Sequence, residues 1–355
     1  MAELILDNIS KRFGQSVAVH ELSLSIPQGA FVALLGPSGC GKTTTLRMLA
    51  GFEQVSSGQI LLNDRCLARD GWQVPTEERN MGMVFQSYAL WPHMSVAENV
   101  GYPLKHRHIK GAEYKRRVLE ALETVKMEAL ADRMPQDLSG GQRQRVALAR
   151  SLVTDPSVVL LDEPLANLDR HLRASMEDSF REFHRRTGAT MIYVTHDQSE
   201  AMSLADHIAV MHQGQLVQWA RPEELYQTPR TEWIAGFIGQ GSILQLPDIA
   251  PGQPLQASDL MALARRRSTR PENSSALYTP VLIRPEHIQL AAQAETMPQG
   301  LPAQVIDCCF RGERHEVKVA LQGGDELTCY HSTSLSPGVQ VHVTLQQGWS
   351  LEPAA

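Results

Sequence analysis

The segment GPSGCGKT, residues 36–43, satisfies the spacing G-x-x-x-x-G-K-[ST], in which a loop of backbone N–H groups wraps a string of phosphates. Gly36, Gly39 and Gly41 allow the tight turn, and the helix opening near Lys42 turns its positive end toward the anion. Lys42 is the point charge expected at the β- and γ-phosphates, and the Thr43 hydroxyl is a ligand expected for Mg²⁺. The alternative, a glycine-rich turn that matches by accident, would arise in about one chain in a hundred of this length. A second feature is VVLLDEP, residues 158–164, a buried strand ending in two adjacent carboxylates, Asp162 and Glu163, where Pro164 stops further pairing. A third is DLSGGQRQRVALARSL, in which a polar glycine pair opens a helix and implies another anion site at its N-terminus.

The elements around these features have a coherent order. FVALL reads as a buried strand entering the phosphate loop, and TTLRMLAG as the helix leaving it. Residues 3–35 alternate apolar and polar positions around short turns, SSGQILLND reads as another strand, and MGMVF as a buried strand leading to Gln86. Residues 87–135 carry helical periodicity instead, with Val118, Leu122 and Val125 on one face. Beyond Pro164 a helix (about 170–187), the strand TMIYVTH, a helix (about 198–205) and the strand HIAVM alternate as in a parallel α/β sheet. Near residues 237–241 the texture changes to short strands, glycine and proline turns and no strong helix, which predicts a separate small β domain. The run ARRRSTR, residues 264–270, reads as a solvated polar connection, and His106 and His108 as surface residues.

Composition narrows the function classes. The 355 residues are 43% hydrophobic and 20% charged, which suits a globular chain of two domains. A net charge of −6 supplies no basic field, so a small nucleotide is expected rather than nucleic acid. The five cysteines form no C-x-x-C pair, which points to a reducing compartment rather than to zinc or a disulfide framework. No apolar run nears the roughly 18 residues that span a bilayer, and the acidic start MAELILDNISKRF is unlike a signal peptide.

The phosphate loop, LSGGQ and LLDEP in this order resemble the ATP-binding-cassette ATPases, and the likeness covers residues 1–236, with a helical subdomain at about 87–157. Gln86, the stretch ANLD and His196 in VTHD fall at further positions of the family pattern. The fold implied is α/β, a P-loop NTPase cassette with a mixed sheet core, an antiparallel β subdomain and a helical subdomain. The resemblance implies ATP and Mg²⁺ as cofactors. ATP would be held by Gly36, Pro37, Ser38, Gly39, Cys40, Gly41, Lys42, Thr43 and Thr44. Across a head-to-tail homodimer it would be closed by Ser139, Gly140, Gly141 and Gln142 of the other copy, with Asp169 bridging the pair.

Phosphoryl transfer to water needs neutralised γ-phosphate charge and an in-line water. Asp162 would hold the metal's water shell with Thr43 and Gln86, Glu163 would polarise the attacking water, and His196 would contact the γ-phosphate and orient Glu163. Phe13, which by pattern alone is either sheet-edge packing or a ring for binding, falls where the family stacks adenine. Cys40 either simply fits the loop or is a reactive thiol near a helix N-terminus.

Residues 237–355 contain IRPEHIQL, which is similar to the R-P-E signature of the small OB-type (TOBE) β domain behind importer cassettes for ferric iron, polyamines, sugars and phosphonates. The likeness implies the energy-coupling subunit of an importer at the cytoplasmic face of the inner membrane, served by a separate solute-binding protein. Membrane permease chains would dock at Tyr88, Leu90, Trp91 and Met94. The alternative is a soluble, non-transport cassette ATPase or a ligand-sensing one.

Overall fold

FVALL, too apolar to have a solvent face, is buried at all five positions, and the first half of the chain is arranged around it. The computed structural model describes residues 3–166, 170–269, 278–291 and 300–352. The chain divides into two units, residues 1–222 and 223–355. In the first, β1 (Leu4–Phe13), β2 (Ser16–Ile26), β3 (Phe31–Leu35), α1 (Lys42–Ala50), β4 (Ser57–Leu62), β5 (Arg65–Arg69), β6 (Trp72–Gln73) and β7 (Met81–Val84) come before the helical layer. That layer comprises α2 (Val96–His106), α3 (Gly111–Thr124) and α4 (Gly140–Leu152). The unit then alternates through β8 (Val158–Asp162), α5 (Arg170–Thr187), β9 (Thr190–Thr195), α6 (Gln198–Leu204), β10 (His207–His212) and β11 (Gln215–Ala220).

Two sheets result. One has the order β2-β1-β4-β5-β6, with every pairing antiparallel. The other has the order β11-β10-β3-β9-β8-β7, parallel except for the β10–β11 hairpin. Parallel strands carry their ligands at their carboxyl ends. In this sheet the ends of β3, β8 and β9 lead into the phosphate loop, the paired carboxylates and His196. The helical layer shares a core with the parallel sheet, in which Val100 and Leu104 of α2, Val118 and Leu122 of α3 and Val146 and Ala149 of α4 are buried with Phe31, Val159, Leu161 and Tyr193 of the sheet. Capping boxes begin two of its helices, Ser95 with Glu98 at α2 and Ser139 with Gln142 at α4.

Arg79 ends α1. Its side chain is 1% exposed, and its Nη1 donates to the carbonyls of Met48 (2.6 Å) and Leu49 (2.8 Å) while Nε donates to that of Val74 (2.9 Å). Burial pushes its pKa down to about 10, yet the guanidinium adds donors to the last turn of α1, whose Met48 carbonyl also accepts from Gly51 N at 3.3 Å. Arg79→Ala should cost on the order of 3 kcal/mol, because buried carbonyls lose their donors and a large side chain leaves a void. Urea denaturation measures this, and a loss below about 1 kcal/mol would contradict it.

The second unit holds α7 (Pro222–Gln227), α8 (Glu232–Phe237), β12 (Ser242–Pro247), β13 (Pro254–Gln256), α9 (Ala257–Thr269), β14 (Tyr278–Ile283), β15 (Ile288–Ala291), β16 (Leu301–Phe310), β17 (His315–Leu321), β18 (Glu326–His331), β19 (Gln340–Leu345) and β20 (Gln347–Ser350). Its sheets run β12-β14-β20-β13 and β15-β19-β16-β17-β18 around one core. The expectation of no strong helix after residue 242 fails at α9. Leu260, Met261 and Ala264 bury one face of α9, so the arginines read as a solvated connection are the polar side of its last turns. Arg267 is paired there with Asp325 at 2.8 Å, while Arg270 lies outside the described residues. The arginine of R-P-E also has a structural task. Arg284 is 3% exposed, stacks on Tyr226 with 4.1 Å to the ring centroid, and donates to the carbonyls of Tyr226 (2.7 Å) and Gln240 (2.8 Å).

Candidate nucleotide site

The phosphate loop has the backbone that its glycines allow. Gly41, just before α1, has φ +100°, and a Cβ there would lie 2.5 Å from the Ala18 carbonyl oxygen. At Gly36 a Cβ would lie 2.2 Å from that of Met211, so both positions exclude a side chain. Lys42 is 5% exposed and donates from Nζ to the carbonyls of Gly36 (2.7 Å) and Pro37 (2.9 Å), with the Cys40 sulfur at 3.8 Å. The ammonium is thus already inside the loop. Cys40 itself is buried, and that burial raises its pKa, against which Lys42 acts in the lowering direction.

At the end of β8, the Thr43 hydroxyl meets Asp162 Oδ1 at 3.3 Å. Burial pushes the Asp162 carboxyl above its usual range; the Thr43 hydrogen bond opposes the rise and the neighbouring Glu163 adds to it. A hydroxyl beside a carboxylate is an all-oxygen donor pair, the kind a hard divalent cation takes. Glu163 leaves the strand with φ +43° and its N–H bonded to the Val194 carbonyl at 3.0 Å. This left-handed turn separates the two acids, and Glu163 Oε2 comes 3.3 Å from His196 Nδ1.

A buried support lies behind His196. Glu200, 3% exposed, accepts from the hydroxyls of Thr195 (2.6 Å) and Tyr193 (2.8 Å), and its burial raises its pKa. Asp197 caps α6, accepting from Ser199 N at 2.8 Å, and pairs with Arg173 at 3.0 Å. Neither acid was singled out in the sequence, although D-x-x-E after VTH is a helix-start signal.

Other expected site residues are placed differently. Gln86 is exposed on the turn that leaves β7. Ser139 accepts from Gln142 N at 3.3 Å and so caps its own helix; among the described residues, residues 139–142 share no hydrogen bond with residues 36–44. Asp169 lies outside the described residues. Phe13 is 49% exposed at the end of β1, so sheet-edge packing does not cover it.

A groove of about 600 Å³ opens beside the helical layer, lined in part by Phe85, Trp91, Tyr102 and Arg150. Trp91 packs on Tyr102 at 4.2 Å, and the Arg150 guanidinium sits 5.0 Å from the Trp91 ring centroid while donating to the carbonyls of Tyr88 (2.7 Å) and Ala89 (2.6 Å). Tyr88 is only 9% exposed and faces the core, leaving Leu90, Trp91 and Met94 partly exposed. Among the described residues, no helix is long and apolar enough to cross a membrane.

Residues 19–166 match the family model for the ABC transporter, and residues 281–350 that for the TOBE domain. The chain is 40% identical over 343 residues to the Fe(3+) ions import ATP-binding protein FbpC of Agrobacterium fabrum, covering 96% of this chain and 94% of that protein. It is 43% identical over 311 residues to the maltose/maltodextrin import ATP-binding protein MalK of Yersinia pestis bv. Antiqua, covering 86% and 83% respectively. Among solved structures it resembles the dimeric, post-hydrolysis ATP-binding cassette MJ0796 bound to ADP and Pi. The TM-score is 0.54 at 29% identity, covering 62% of this chain and 98% of that one.

Proposed function

Because the chain belongs to the ABC transporter family, as a nucleotide-binding ATPase with a TOBE domain, we propose that it is the energy-coupling subunit of an importer. ATP hydrolysis by this subunit drives solute uptake. The observation that carries the reading is the joint presence of two paired sets of site side chains at the strand ends and a TOBE-type tail. Thr43, Asp162, Glu163 and His196 stand in pairs at 3.3 Å, and the relatives named as import ATP-binding proteins align over most of the chain.

Lys42 and the loop amides of residues 36–44 bind the phosphates, and Phe13 stacks the adenine. Thr43 and Asp162, joined by Gln86, would hold Mg²⁺, which would neutralise charge on the phosphates. Glu163 takes a proton from the attacking water as its oxygen bonds to the γ-phosphorus and the bond from phosphorus to the bridging oxygen breaks. His196 keeps that carboxylate aimed. Two copies pair head to tail, so residues 139–142 and Asp169 of each complete the site of the other. The cassette ends near residue 236, and the TOBE domain follows.

The chain works at the cytoplasmic face of the inner membrane. Its groove beside Trp91 receives a helix of a permease subunit, for which exposed apolar anchors on a concave floor are the usual means. Ferric iron is the first solute to test, from the names of relatives, with a separate binding protein delivering it. Proteoliposomes holding this chain with its permease subunits should accumulate the solute only with ATP, and Trp91→Ala should lose the permease while still binding ATP. A chain that isolates without membrane subunits, and whose ATPase ignores them, would overturn the proposal.

A further inference from the structure

Lys11 and Phe13 are two residues apart on β1, so their side chains leave the strand on one side. Lys11 is 9% exposed, unusual for a lysine, and Nζ stands over the Phe13 ring, 4.8 Å from its centroid. The ammonium is held at 2.9 Å by the Glu53 carboxylate and at 2.9 Å by the Gln54 carbonyl. Both partners follow Gly51, the residue that ends α1, the helix whose first residue is Lys42. One ammonium therefore ties the strand end that carries the exposed aromatic to the helix that carries the phosphate cradle.

The β ladder does not do this alone. Its register with β2 is irregular on both sides of Lys11, between Ile9 and Lys11 and again between Lys11 and Arg12. A half-exposed ring beyond such a bulge and before the Gly14 turn has few neighbours to choose its rotamer. A cation held over one face does choose it, since the ring's negative quadrupole faces the charge. That leaves the opposite face for a purine.

We infer that Lys11 is a positioning residue, anchored by Glu53 and Gln54, that orients Phe13 as the base platform and sets its span from the phosphate loop. The inference rests on Phe13 being the adenine-stacking residue. Lys11 touches neither phosphate nor reacting atoms, so its effect should follow the base and not the phosphates.

The test compares ATP with inorganic tripolyphosphate, which lacks the base, in equilibrium titrations of the full chain. Lys11→Met should raise the Kd for ATP about two- to fivefold and leave that for tripolyphosphate unchanged, while Lys11→Arg, which keeps the cation, should match wild type. In a Phe13→Ala background, Lys11→Met should add nothing. If Lys11→Met fails to fold, Glu53→Gln, which frees the ammonium, should show the same ATP-only loss to a smaller extent. Equal weakening of both ligands would make Lys11 a general structural residue and overturn the inference. So would unchanged ATP affinity in a chain where Phe13→Ala does weaken ATP. If Phe13→Ala itself leaves ATP affinity unchanged, the platform reading fails first, and the inference with it.

Discussion

Glu163→Gln should leave ATP bound and lower its hydrolysis by about 10²–10⁴-fold, the usual worth of one general base. The substitution is isosteric and the backbone need not change: φ +43° and the N–H bond to the Val194 carbonyl are independent of the side-chain oxygen. What disappears is the charge. An amide does not take a proton from the attacking water, and its contact with His196 Nδ1, now 3.3 Å from a carboxylate oxygen, loses its charged acceptor. With chemistry blocked, ATP should hold two copies together, so the variant should elute as a dimer in ATP and as wild type does without it. The reading is checked by single-turnover hydrolysis beside size-exclusion chromatography. Turnover within tenfold of wild type would move the base to another residue.

The parts of this site that were legible in the sequence are the ones written in consecutive residues. A phosphate loop, a strand ending in two acids and a histidine at a strand end are local patterns, and the parallel sheet brings their ends together by topology alone. The parts that were not legible are side chains that reach backbone far away. Arg79 binds carbonyls about 30 residues before it, Arg150 binds those of Tyr88 and Ala89, and Lys11 binds that of Gln54. Each looks like an ordinary surface cation in the sequence. A backbone carbonyl has no identity there, so no residue type announces the partner. Tyr88 differs in the opposite way: an aromatic in a segment read as a permease contact suggests an exposed anchor, but left-handed turns at Tyr88 (φ +61°) and Ala89 (φ +48°) accompany its inward placement. The helix α9 was hidden because its arginines dominate the text, while among the described residues its core-facing side is carried by Leu260, Met261 and Ala264, with Leu263 partly buried.

Lys42→Ala should act on binding rather than on chemistry alone. The ammonium donates to the Gly36 and Pro37 carbonyls, so it both holds the cradle's shape and presents a charge to the proposed phosphate position. Removing a charged hydrogen bond of roughly 1.5–3 kcal/mol should raise the Kd for ATP about 10- to 150-fold. The loss should be shared with inorganic tripolyphosphate, the opposite of the pattern expected at Lys11, because this contact recognises phosphate and not base. Its size should also shrink with added salt, since a contact between charges at a partly open loop is screened. Because Lys42 is 5% exposed, the urea midpoint should be measured alongside, to separate a weakened loop from a weakened fold. Equal affinity for both ligands in the variant and in wild type would mean that the loop amides and the dipole of α1 bind the phosphates without it. The assignment of GPSGCGKT as the nucleotide cradle would then rest on Gly36, Gly41 and Thr43 alone.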